Sequence, residues 1–170
     1  MTREIILGID PGSLATGYGI VSWEDNRLHF VNAGIIRPHA GLTFAKRLER
    51  LYSGLKEVIG RHNPTVSAVE GVFQSVNARA ALLLGHARGA VILSAVHGGL
   101  PGFEYSPITV KQAVVGYGRA EKSQVQHMVR ILLNLSKKPA QDAADALAVA
   151  ICHAHSSGSR LLSDSRENTG

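Results

Sequence analysis

The chain has 170 residues, 45% of them hydrophobic and 18% charged, which is enough apolar material for one buried core and too little charge for general disorder. Fibrous and disordered classes are excluded, and the length argues against a two-domain enzyme of the kinase or dehydrogenase type. Eighteen Lys and Arg against thirteen Asp and Glu leave a formal charge of +5, which suits a polyanionic partner but equally a basic soluble enzyme.

The first residues lead straight into a strand-like run without the apolar stretch of a secretory signal. The longest apolar stretch, residues 89–96, is far short of a membrane span, so the cytoplasm is the expected location. Cys152 stands alone, which rules out a disulfide framework within one chain and suits a reducing interior. Residues 5–9 are continuously apolar, as in a strand buried on both faces, and Asp10-Pro11-Gly12 stops them with turn chemistry. Residues 16–23 and 28–36 flank Glu24-Asp25-Asn26 as two antiparallel strands around a short turn. Phe44, Leu48, Leu51, Leu55, Val58 and Ile59 then recur at helical spacing over residues 43–62. Residues 66–70 are a second short apolar run ending in a carboxylate, Glu70. Asn77 caps a helix through Val96 that Gly98-Gly99 ends. A short strand over residues 103–106 and helices over 109–115 and 121–135 follow. Pro139 opens a final helix to about His153. Residues 1–155 are expected to form a single domain and residues 156–170 a frayed, disordered tail. A meander followed by alternating helices and strands indicates an α/β fold, a mixed sheet flanked by helices on both faces.

Two strands end in acids, Asp10 and Glu70. If they lie side by side in parallel, both acids emerge at the carboxyl edge of the sheet, where open α/β proteins place their sites. Asp142 and Asp145 are one turn apart on a helix whose surroundings are almost all Ala, Leu, Val and Ile, which must be buried. Asp142 is accounted for by the first helical turn, where a carboxylate suits the dipole. Asp145 is not, because a second acid at that spacing repels the first unless a cation lies between them. Mg²⁺ is such a cation, and four carboxylates suffice for two ions able to activate a water and stabilise the leaving oxygen of a phosphoryl displacement.

Taken together, Gly8-Ile9-Asp10-Pro11-Gly12, Thr16-Gly17-Tyr18-Gly19, Glu70-Gly71-Val72-Phe73 with Asn77, Leu84-Gly85-His86-Ala87-Arg88-Gly89, residues 110–116, residues 120–126 and Asp142-Ala143-Ala144-Asp145-Ala146-Leu147-Ala148 resemble the RuvC-type Holliday junction resolvases. The resemblance covers nearly all of the chain to about Ala154. It implies a ribonuclease H-like fold with a mixed five-stranded sheet. It also implies metal-binding catalytic acids at Asp10, Glu70, Asp142 and Asp145, and two Mg²⁺ ions per subunit with Mn²⁺ able to substitute. The implied activity is that of a structure-selective endonuclease, a homodimer that resolves four-way junction DNA by paired symmetric nicks in homologous recombination and DNA repair.

The same resemblance implies branch-migration partners, RuvA and RuvB, and no membrane. It assigns Phe73 to stacking on or between bases and Lys111 and Lys122 to DNA or the active-site neighbourhood. From the residues alone, Phe73 reads first as an anchor tucking its loop into the core, and the two lysines as solvated helix side chains. Arg79, Lys137 and Lys138 are further basic positions that no motif singles out. The helix from Asn77 is a reasonable dimer element, since Gly85, Gly89 and two alanines allow close approach while Leu82, Leu83 and Leu84 supply apolar area. Gly71 and His86 depart from the family pattern. His153 and His155, two apart on a helix, do not converge on a zinc ion. A nucleotide phosphotransferase using the Asp10 and Gly17 turns is one competing reading, against which length counts. A non-catalytic junction-binding module with structural acids is another.

Overall fold

The computed structural model describes residues 3–71 and 77–167, with the side chains of its last stretch followed to residue 158. Strand β1 (Glu4–Asp10) lies at the centre of a five-stranded mixed sheet, with β2 (Thr16–Glu24) and β3 (Arg27–Ile36) antiparallel on one side. After α1 (Phe44–His62), β4 (Val66–Glu70) pairs parallel to β1; after α2 (Ala78–His97), β5 (Gly102–Tyr105) pairs parallel to β4. Helices α3 (Pro107–Val115), α4 (Lys122–Leu132) and α5 (Gln141–Glu167) complete the chain. The expected α/β fold with a mixed five-stranded sheet is observed.

Local chemistry sets these limits. Asp25 and Asn26 both take positive φ, 50° and 63°, the pair of left-handed residues that matches the strand twist of a tight hairpin. Thr43, Asn77 and Ser106 cap α1, α2 and α3 through their side-chain oxygens. Asn63 and Gly116 close α1 and α3 in the left-handed conformation.

Period-2 alternation gives the sheet two apolar faces. Leu7, Ile9, Ile20 and Val69 pack with α1 and α2 on one side. Ile6, Val21, Val66 and Ala68 pack with α3, α4 and α5 on the other. Asp10 therefore shares the α5 face with Ile6, and Glu70 shares it with Val66 and Ala68.

α5 is wholly apolar around residues 146–152 because it is covered twice, by the sheet beneath and by α3 and α4 outside. It runs beyond the expected end at His153 to Glu167. The stretch past His153 keeps partners on the sheet: His155 meets the Trp23 ring edge-on at 5.9 Å, and Ser157 Oγ donates to Glu4 Oε2 at 3.2 Å. Pro139 stands two residues before α5 rather than at its first position, its carbonyl accepting from Gln126 Nε2 at 2.7 Å.

Candidate active site

The last rung of the parallel β1–β4 ladder pairs Ile9 with Val69, one residue before Asp10 and Glu70. Both acids thus leave the sheet together at its carboxyl edge, on the face that α5 covers. The helix approaches closely because three residues beneath it have no side chain. A Cβ on Gly8 would overlap the carbonyl oxygen of Ala146, one on Gly17 the carbonyl of Asp142, and one on Gly19 the Leu147 side chain and amide nitrogen. Gly17 is also the cross-strand partner of Asp10. Glycine at these three points lets α5 rest backbone to backbone on the sheet, which carries Asp142 and Asp145 up to Asp10.

Asp10, Glu70 and Asp145 line one cavity of about 410 Å³ together with Arg88, Lys111 and Lys122. Asp142 stands beside this group and acts on Asp10 and Asp145 through its charge. Burial pushes the Asp10 carboxyl up to about 7, with repulsion from Asp145, Asp142 and Glu70 adding to it and Lys122 opposing. Burial first and Asp145 second raise Glu70, against Lys111, Lys122 and Arg88. Asp145 is raised by burial and by Asp142, and lowered by Lys122 and by a hydrogen bond from Gln141 Nε2 at 2.9 Å. Lys122 Nζ lies 3.9 Å from Asp145 Oδ2, but its side chain is 76% exposed, so this contact contributes little to stability.

The group as it stands is a set of hard oxygen donors whose negative charges raise one another's proton affinity. Among the described residues, no three His, Cys, Asp or Glu side chains stand close enough to hold one ion without moving. The fit to a divalent cation therefore lies in donor chemistry and uncompensated charge rather than in preformed spacing. The consequence for stability has a definite sign. A carboxyl at about 7 in the folded chain and 3.8 when free favours the metal-free fold below about pH 4, and that contribution is lost as pH rises through 7. The melting temperature in EDTA is expected to fall over this window, less so in Asp10→Asn, and Mg²⁺ is expected to restore it above pH 7. Calorimetric scans of both proteins check this, and equal slopes in EDTA would refute it.

Arg88 and the three glycines lie inside the matched motifs without an assigned role in the acid site, and Gln141 lies outside those motifs. What the glycines and Gln141 do for the acids shows only once the helix is laid on the sheet. Phe73 lies outside the described residues. Lys137 and Lys138 line a separate groove against Phe30 on β3, and Arg79 is exposed in the first turn of α2. His153 and His155 diverge, His153 Nδ1 pairing with the Tyr105 hydroxyl at 2.7 Å and His155 Nδ1 facing the Ala113 carbonyl at 3.2 Å. Cys152 is buried, its thiol pushed up to about 11 by that burial, which leaves it unreactive at neutral pH.

The sequence profile of the family described as crossover junction endodeoxyribonuclease RuvC matches residues 6–153. The chain belongs to the RuvC family. The RuvC of Citrifermentans bemidjiense is 57% identical over 158 residues, 93% of this chain and 96% of that protein. Thermus thermophilus RuvC, solved in complex with a Holliday junction substrate, superposes with a TM-score of 0.83 at 34% identity, covering 89% of this chain and 93% of its own. The yeast mitochondrial resolvase Ydc2, at 16% identity and a TM-score of 0.64, shares the fold. The ribonuclease H-like architecture expected from the motifs is thus that of the RuvC family.

Proposed function

We propose that the protein is a crossover junction endodeoxyribonuclease that resolves four-way DNA junctions by paired symmetric nicks in homologous recombination and DNA repair. The observation that supports it is the gathering of Asp10, Glu70 and Asp145, from three elements far apart in sequence, into one lysine-flanked cavity of a RuvC-family chain. In this reading Asp10, Glu70, Asp142 and Asp145 hold two Mg²⁺ ions per subunit, with Mn²⁺ as a substitute. Such ions supply Lewis-acid activation of water and neutralise charge at the leaving 3′ oxygen.

The chain's own groups do the rest. The carboxylates fix the donor positions, and Asp10 must give up its proton before the set is complete, which couples cation affinity to pH. Lys111 and Lys122 neutralise backbone phosphates and orient the strand without reading bases. Phe73 is assigned to stacking on bases at the opened junction centre, where the unstacking cost is offset by a better-fitting substrate. Residues 1–155 form the nuclease unit, which works in the cytoplasm with the RuvA and RuvB branch-migration components.

A homodimer through α2 completes the reading. Leu82, Gly85, Gly89, Leu93 and Val96 follow one another at three- and four-residue intervals, and the three apolar side chains are 64%, 47% and 58% exposed. A Cβ added at Gly85 or Gly89 meets nothing within 4 Å, so the stripe is open to a second backbone. By length and composition alone α2 could also cross a membrane; its Arg88, paired within the fold, suits a second copy better. A twofold dimer matches a substrate with near-twofold symmetry. Leu93→Glu is expected to give monomers in analytical ultracentrifugation and to lose paired nicking, with the thermal transition within a few degrees of wild type. A dimer that survives it would place the interface elsewhere.

The deciding experiment incubates labelled four-way junction, linear duplex and single strand with Mg²⁺ and maps the nicks. Two symmetric nicks on the junction, in strands of like polarity, are expected. Wild-type protein that binds the junction but is inert with both Mg²⁺ and Mn²⁺ would leave only a binding module.

A further inference from the structure

Glu70 is the last residue of β4, and two hydrogen bonds hold the main chain there. The Gly71 N–H donates to the Tyr105 carbonyl at 2.7 Å. Arg88 reaches across from α2, its Nη1 donating to the Glu70 carbonyl oxygen at 2.6 Å and its Nη2 meeting Glu104 Oε2 of β5 at 3.1 Å. The Arg88 side chain is only 12% exposed, so its charge needs the partners it has, whereas Glu104 is 62% exposed and is not among the residues lining the cavity. The guanidinium fork serves two acceptors at once, which a lysine ammonium on a flexible stem does less well. Arg88 also lines the cavity of the acids and springs from α2 next to Gly89 of the apolar stripe.

We propose that Arg88 and Glu104 are a pair of positioning residues. Glu104 orients the guanidinium, and Arg88 in turn fixes the Glu70 main chain so that the Glu70 carboxylate is presented beside Asp10 and Asp145 to a divalent cation. This rests on the nuclease reading and extends it to a surface glutamate that no motif marks. Loosening the pair should weaken cation uptake before it weakens DNA binding, because neither residue is needed to contact a phosphate.

The test compares wild type, Arg88→Lys, Glu104→Gln and the double variant. Mn²⁺ is titrated into DNA-free protein and followed by loss of the free-ion EPR signal. Junction affinity without divalent metal at fixed salt and single-turnover cleavage against Mg²⁺ are measured in parallel. Arg88→Lys is expected to weaken Mn²⁺ binding and slow cleavage at limiting Mg²⁺ by roughly 10–100-fold, the range for groups that orient metal ligands. Glu104→Gln should shift both in the same direction by a few-fold, and the double variant should be no worse than Arg88→Lys, since one path is being cut twice. Junction affinity should stay within about twofold. A wild-type Mn²⁺ midpoint in Glu104→Gln, additive effects, or junction binding lost in step with cleavage would each overturn the proposal. If Arg88→Lys does not fold, Glu104→Gln decides alone. Wild type that cuts no junction with either metal sinks the nuclease reading itself, a result separate from an unshifted Glu104→Gln.

Discussion

Asp145→Asn is expected to lower junction cleavage by about a thousandfold or more while leaving junction affinity within a few-fold of wild type at fixed salt. The substitution keeps shape and keeps an amide oxygen to accept from Gln141 Nε2, so the helix terminus has no reason to move. What goes is one of the negative charges that converge on the cavity. A donor lost from a metal-assisted displacement costs several kcal/mol of transition-state stabilisation, and about 4 kcal/mol corresponds to a thousandfold in rate. Junction affinity, carried mainly by phosphate contacts, does not depend on that charge.

The same change has an opposite effect on the metal-free fold. Asp145 is the largest of the charges raising Asp10 and Glu70, so removing it relieves both. Asp145→Asn should melt higher than wild type in EDTA at pH 8 and lose that advantage in Mg²⁺. Unimpaired cleavage would take Asp145 out of the chemistry, and an unchanged melting temperature in EDTA would remove the repulsion argument.

The features legible in the sequence were those whose cause is local. Residues 5–9 are apolar throughout because both faces of β1 are covered, and that reads directly as a central strand. The acids of α5 stood out because residues 143–152 are otherwise apolar. Arg88 stands in a matched motif, but its role was illegible because its partners, the Glu70 carbonyl and Glu104, belong to β4 and β5, which only the folded sheet sets beside it. The end of α5 was misjudged because a Ser-rich run reads as solvent-exposed, while Trp23 and Glu4, some 130 to 150 positions earlier, give it contacts. Glycine in a strand reads as a weakness, and at Gly8, Gly17 and Gly19 it is the condition for the helix to sit where it does.

Gly17→Ala tests that condition, and its effect should far exceed that of a methyl added where there is open space. The new Cβ would fall on the Asp142 carbonyl carbon and oxygen, and main chain cannot rotate away as a side-chain tip can. α5 remains seated at Gly8 and Gly19 further along, so the strain must be taken up at its first turn, which carries Asp142 and Asp145. A displacement of about 1 Å at a catalytic group costs on the order of a hundredfold in rate, and overpacking costs about 1–3 kcal/mol of stability. Cleavage should fall by about that factor, with the Mg²⁺ midpoint raised and junction affinity kept. Gly60→Ala is the contrast: a Cβ there meets nothing within 4 Å inside α1, and alanine should stabilise the fold by up to about 1 kcal/mol with cleavage unchanged. If both variants cut at the wild-type rate, the close seat of α5 on the sheet is not what holds the acids together.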